Sequence, residues 1–199
     1  MTEVRRAATL PVTFFMRPAE TVAADLLGMV VVSSIGGRST AGVIVETEAY
    51  LGYDDPASHG YLHRRNARNA ALFGPPGLWY VYLSYGMHWC ANLVCQQAGY
   101  ASAVLLRALE PLDGLELMRQ RRGAVPDRAL CSGPGKLCQA LGIDRDLDGA
   151  RMGASPVLVR RPVRSEERRI AATPRVGITK AADWPLRFVV AGSPWLSRK

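Results

Sequence analysis

The 199-residue sequence predicts a single α+β domain: a mostly antiparallel, curved β-sheet core with short α-helices flanking it. Three observations lead there. β-branched and aromatic runs come first, helical periods follow, and short strands return near the end, with no internal repeat or linker between them. The length suits one sizeable core and is short for two. A composition of 48% hydrophobic and 21% charged residues describes a folded chain, not a disordered one. Residues 1–17 read as an N-terminal extension and residues 18–199 as the domain.

In chain order, Pro18, Glu20, Val22, Ala23, Leu26 and Leu27, closed by Gly28, have the period and punctuation of a short amphipathic helix. Residues 29–35 and 41–49 follow as a hairpin around Gly36-Gly37. Residues 50–77 form a long polar loop with a short helix near residues 66–72, and a loop of that length in a compact domain is expected to carry function. Residues 78–94 read as two strands joined at Gly86-Met87, a pair suited to a two-residue hairpin turn, and residues 101–109 as a further strand. A helix is expected to open at Pro111 and end before Gly123, and another to run from Pro134 to Leu141 with Gly142 as its cap. Short strands are then expected at residues 156–160, 175–178 and 186–191.

Twenty-five Lys and Arg against 17 Asp and Glu give a net charge of +8, which favours phosphate-bearing partners. Arginines cluster at Arg64, Arg65 and Arg68, at Arg119, Arg121 and Arg122, and at Arg160, Arg161, Arg164, Arg168 and Arg169. Each cluster alone reads as a solvated face; together with the net charge they favour phosphate contacts. Cys90, Cys95, Cys131 and Cys138 have no C-x-x-C spacing and the three histidines complete no ligand set with them, so small buried thiols are expected and no metal. No apolar stretch reaches the roughly 18–20 residues of a membrane span. Arg5 and Arg6 precede a short apolar run that Pro11 and Arg17 break, so no signal peptide is expected and the cytoplasm is the expected location.

Glu46, Glu48 and Tyr50 alternate along the second strand, which brings two acids and a phenol to one face where that strand enters the long loop bearing His59. Tyr80, Tyr82 and Tyr85 lie with Trp79 and Trp89 around the next hairpin. Tyr85 falls at its tip, where an exposed aromatic could wedge between base steps. A two-residue turn at Gly86-Met87 pairs Tyr85 with His88, which sets Tyr82 on the opposite face from Tyr85 and Asn92 unless a bulge or a sharply twisted tip intervenes. Lys136 follows Gly133-Pro134-Gly135 with the wrong spacing for a nucleotide-binding P-loop; a DNA phosphate contact or simple helix initiation explains it.

The runs VETEAYLG (residues 45–52), YVYLSYGM (80–87), LRALEP (106–111), GPGKL (133–137) and RFVVAGSP (187–194) resemble those of the alkyladenine (3-methyladenine) DNA glycosylases, in the same order from about residue 18 to residue 198. The resemblance implies a monofunctional base-excision repair enzyme, at work on the bacterial nucleoid, that flips alkylated or deaminated purines out of double-stranded DNA and hydrolyses the N-glycosidic bond with water. It implies no cofactor, and a monomer is expected. Glu48 resembles the family's general base, and Tyr50, His59 and Tyr82 resemble the walls of its base pocket. Asn92 matches a pocket residue bearing on which purines enter, Tyr85 the side chain that fills the gap left by the flipped nucleotide, and Arg107 a basic residue near the catalytic water and the DNA backbone. Arg64, Arg65 and Lys136 are taken as backbone contacts on charge.

Two rivals stand beside it. A sugar glycosidase could use Glu46 and Glu48, roughly 7 Å apart by strand rise, although a basic chain does not suit a neutral glycan. A non-catalytic module of the same fold could bind damaged DNA without cutting it. The enzymatic reading requires Glu48 to face the aromatic slot and not to be locked in an interior ion pair.

Overall fold

The computed structural model describes residues 7–163 and 167–198; Arg5, Arg6 and Arg164 lie outside them. Short helices α1 (Val12–Phe15) and α2 (Ala19–Asp25) lead into β1 (Val30–Ser33) and β2 (Thr40–Tyr50). The long loop follows, with 3-10 turns at Gly52–Asp54, Tyr61–His63 and Ala67–Phe73. Next come β3 (Trp79–Ser84), β4 (His88–Cys95), β5 (Ser102–Asp113), α3 (Leu115–Arg122), α4 (Asp127–Leu130), α5 (Pro134–Leu141), β6 (Val157–Arg160), β7 (Ile170–Thr173) and β8 (Arg187–Val190). The eight strands make one open antiparallel sheet in the order β3-β4-β5-β2-β1-β6, with β8 pairing the second half of β2 and β7 pairing β8. The fold is the α+β single domain that the sequence predicts.

Alternation along the central strands gives the sheet two different faces. Ile44, Ala49, Trp79, Val81, Ala91, Leu93, Val104 and Leu106 point to one side, where they join Phe15, Leu26, Met118, Leu137 and Leu141 of the helices in the main core. Each such large aliphatic side chain contributes about 1.5–3 kcal/mol by leaving water. Trp79 Nε1 on β3 donates to Val157 O on β6 at 3.2 Å, although these strands stand at opposite ends of the sheet order, so the sheet curls around the helices. The other face carries Tyr80, Val94 and Ala103, on which Leu72 and Phe73 of the long loop pack as a smaller second core. That docking turns the loop into a wall. All four cysteines are buried and free.

Three sequence expectations are corrected. The tip of the β3–β4 hairpin holds three residues, not two: Ser84 pairs with His88, while Tyr85 and Gly86 both have positive φ. This one-residue shift pairs Tyr82 with Cys90 and Tyr80 with Asn92, so Tyr82 and Asn92 share a face without a bulge in the hairpin. No helix opens at Pro111. β5 runs on to Asp113, and the turn comes at Gly114, whose φ of +72° and close approach to Ser39 O exclude a side chain. Residues 175–178 form no strand, because their polar groups serve the site instead: Val176 N–H bonds Glu48 and the Arg175 guanidinium bonds Asp55 and Ala49 O. The strand of that region is β7, at Ile170–Thr173.

Candidate active site

The second face of the sheet and the long loop enclose a cavity of about 790 Å³, within the roughly 300–1,000 Å³ of small-molecule sites. Tyr50, His59, Tyr80, Tyr82, Asn92 and Arg107 line it, and Tyr85 stands at its edge. Its floor depends on a local irregularity of the sheet. Between the pairs Thr47–Leu106 and Glu46–Ala108, β5 holds one extra residue, Arg107, which is left without a partner on β2. Bulges re-aim side chains in this way, and the one expected in the hairpin lies here instead. The guanidinium reaches both acids of β2, with Nε 3.1 Å from Glu46 Oε1 and Nη1 3.3 Å from Glu48 Oε1.

Glu48 is completely buried, directly beneath the cavity and not part of its wall. Oε2 accepts from the Tyr50 hydroxyl at 2.9 Å, and Oε1 accepts from Val176 N–H at 2.7 Å. The acid is therefore in an interior ion pair, but a loose one: the Arg107 contact adds no hydrogen bond, and the three groups around Glu48 all line the cavity. A carboxylate has about four acceptor positions, so one on Oε2 remains for a further donor. Glu46, equally buried, is more heavily bonded. It accepts from Ser197 N–H (2.6 Å), Ser197 Oγ (2.7 Å), Arg187 Nε (2.7 Å) and Arg107 Nε. Burial alone would raise its pKa, but these hydrogen bonds more than offset burial and the net shift is downward. The glycosidase reading loses its second carboxylate.

The walls are aromatic and uncharged. Burial, reinforced by the neighbouring Glu48 charge, raises the Tyr50 phenol far above its usual range, and burial does the same for Tyr80 and Tyr82. His59 Nδ1 lies 2.7 Å from the Tyr80 hydroxyl, and its ring meets Tyr82 edge-on at 4.6 Å between centroids. Burial first, then the Arg68 charge, lowers the His59 pKa, which favours the neutral imidazole. Asn92 Nδ2 donates to Tyr80 O at 3.0 Å, which fixes the amide against the floor.

Behind Tyr50 stands a pair that the sequence reading missed. The fully buried carboxylate of Asp55 and guanidinium of Arg175 are joined by two hydrogen bonds, and Arg175 Cζ lies 4.7 Å over the Tyr50 ring. Asp55 also accepts from Leu51 N–H and Ala57 N–H, so the pair fastens the start of the long loop to the segment that presents Val176. No sequence signal linked two residues 120 positions apart.

At the rim, Arg64, Arg68 and Lys180 line the cavity, and with Arg107 they make its charged lining cationic throughout. Arg64 and Arg68 belong to the long-loop cluster that the sequence marks out, whereas Lys180 lies outside every such cluster. Arg65 stacks over Phe73 instead, and Lys136, exposed on α5, lies 3.4 Å from Ser132 Oγ and is not part of the cavity lining. The cluster on α3 has partners within the chain: Arg119 pairs with Asp127 at the surface, and Arg121 and Arg122 donate to carbonyls of Ala140, Ile35 and Leu130.

The methylpurine-DNA glycosylase family model matches residues 13–194 of the chain. A Rhizobium meliloti protein provisionally named 3-methyladenine DNA glycosylase is 52% identical over 192 residues, 96% of this chain and 97% of that protein. Proteins with the same provisional name from Rhodopseudomonas palustris strain BisB18 and Methanoculleus marisnigri are each 50% identical, over 94% and 96% of this chain and 89% and 100% of their own lengths.

Proposed function

The chain belongs to the methylpurine-DNA glycosylase family, and on that premise we propose that it is a monofunctional glycosylase acting on alkylated or deaminated purines in double-stranded DNA. The damaged nucleotide leaves the duplex and its base enters the aromatic cavity, while Arg64, Arg68 and Lys180 at the rim meet the phosphates. The observation that carries this reading is the buried Glu48 carboxylate under that cavity, with one acceptor position left on Oε2.

A water held there gives its proton to Glu48 as its oxygen bonds C1′ of the sugar and the C1′–N bond breaks. The carboxylate also stabilises the oxocarbenium charge that develops on the sugar. Tyr50 and the Val176 amide hold the acid in place, and Arg107, with Nη1 3.5 Å from Val176 O, bounds the space for the water. Purines alkylated at N3 or N7 are cationic and depart as neutral bases. They stack favourably on Tyr50 and Tyr82. A neutral deaminated purine needs a hydrogen bond as it leaves, and the His59 edge that does not face Tyr80 supplies it. Asn92, on the floor, bears on which base edges fit, and Tyr85 occupies the vacated place in the stack.

The test is single-turnover base release from duplexes containing hypoxanthine or 7-methylguanine. Native protein releases both, and Glu48→Gln loses about 10²–10⁴-fold in rate while still binding the lesion duplex. Tight lesion binding by native protein with no base released would favour the non-catalytic module.

A further inference from the structure

Three atoms of the Arg107 head point in different directions. Nε donates to Glu46, Nη2 donates to Ser197 Oγ at 3.3 Å, and Nη1 faces Glu48 and Val176 O on the cavity side. The first two anchors belong to one device. Ser197 donates to Glu46 through both its backbone N–H and its hydroxyl, so the hydroxyl bridges the acid and the guanidinium. Arg187, from β8, closes the other side. Its Nε donates to Glu46 and its Nη2 donates to Arg198 O at 2.7 Å, which fixes Arg198 beside Ser197. Glu46 is buried among Ser197, Arg187 and Arg107, of which only Arg107 lines the cavity, so it bears on the site through Arg107.

We infer that Glu46 and Ser197 are positioning residues: the C-terminal segment around Ser197 straps Glu46, and Glu46 holds Arg107 so that its Nη1 alone is presented to Glu48 and the catalytic water. This rests on the glycosylase reading of Glu48. The physical reason is a competition between two carboxylates for one guanidinium. An Arg fork beside a lone carboxylate closes on it with two parallel short hydrogen bonds. Such a closure would fill the free position on Oε2 that the water needs. Glu46 takes Nε, the Ser197 hydroxyl takes Nη2, and the contact to Glu48 stays at 3.3 Å. Arg187, Glu46, Arg107 and Glu48 thus alternate in charge across three strands, and the strap sets where the chain of charges ends.

Ser197 is only partly buried, so its side chain can be changed without opening the core. Ser197→Ala removes the bridge, and Ser197→Thr restores a hydroxyl. Single-turnover excision at saturating enzyme is expected to fall about 10- to 100-fold in Ser197→Ala, as for other small misplacements of a reacting group. The dissociation constant for the lesion duplex and the melting temperature stay near native, and Ser197→Thr recovers most of the rate. An activity-independent readout accompanies it: the Arg107 Nε–H proton resonance, assigned by its loss in Arg107→Lys, is protected from exchange in native protein and in Ser197→Thr, and exchanges fast in Ser197→Ala. Native protein that releases no base overturns the glycosylase reading, while the resonance still tests the strap. An active Ser197→Ala with native rate and protection overturns the strap. So does a rate loss that follows duplex affinity or melting temperature, or that Thr does not rescue.

Discussion

Replacing Tyr85 tests its proposed place in the DNA stack apart from the packing that holds the fold. The side chain is 85% exposed at the hairpin tip, so truncation removes almost no buried area, and the stability change from lost contacts stays within about 0.5 kcal/mol. The backbone works the other way. Tyr85 sits at φ +50°, a left-handed conformation that costs a non-glycine residue about 1–2 kcal/mol. Tyr85→Ala keeps that strain; Tyr85→Gly relieves it and gains about 1 kcal/mol. On the proposed reading the ring replaces an absent base in the DNA stack, worth about 1–3 kcal/mol per contact, so either variant is expected to lose roughly 5- to 150-fold in extrusion. Urea melts and single-turnover excision from a hypoxanthine duplex measure the two quantities on one preparation. The expected result is crossed: Tyr85→Gly is more stable and less active than native protein, with Tyr85→Ala equally inactive and no more stable. Undiminished excision by both variants would refute the wedge, and a large loss of stability in either would refute the placement of Tyr85 outside the packed structure.

Asp55→Ala leaves the fully buried Arg175 unpaired and is expected to cost about 3–5 kcal/mol, lowering the melting temperature by roughly 6–20 °C in a chain of this size; calorimetry checks it. His59 adds a pH dependence. Its pKa is lowered below 6.5 in the folded state, so between the lowered value and 6.5 the unfolded chain binds more protons. The contribution is complete above pH 6.5 and is lost as pH falls. The melting temperature therefore rises from pH 5 to pH 7 in native protein and rises less in His59→Gln.

The sequence made the two-faced sheet legible because its central strands alternate cleanly: Glu46, Glu48 and Tyr50 do share a face, and Tyr80, Tyr82 and Asn92 join it across the ladder. Local punctuation also read through, as with Pro134 and Gly142 at the two ends of α5. Register at the hairpin did not, because Tyr85 takes a positive φ that its residue type disfavours, and a loop one residue longer reverses every face beyond it. Arg175 and Ser197 were equally hidden. Their roles exist only through partners 120 and 151 positions away, and a lone arginine or serine in a short segment carries no local sign of such a partner. The cluster at Arg119, Arg121 and Arg122 has a use that the sequence does not show: its charges satisfy carbonyls and acids at the ends of α3, α4 and α5.

The division between the faces also explains where the ionic groups lie. Buried ion pairs add little net stability, because desolvation offsets their attraction, while breaking one is costly. Four such charges on the cavity side, Arg187, Glu46, Arg107 and Glu48, are therefore a poor way to hold a sheet that already has an apolar core on its other face. What they supply is fixed orientation. Burial by itself lowers the Arg107 pKa, and the two neighbouring glutamates more than reverse that, so the buried guanidinium stays charged. A permanent cation between two carboxylates leaves Glu48 anchored without being fully occupied. On the proposed reading of Glu48, that is the condition a base needs in order to take a proton from one water.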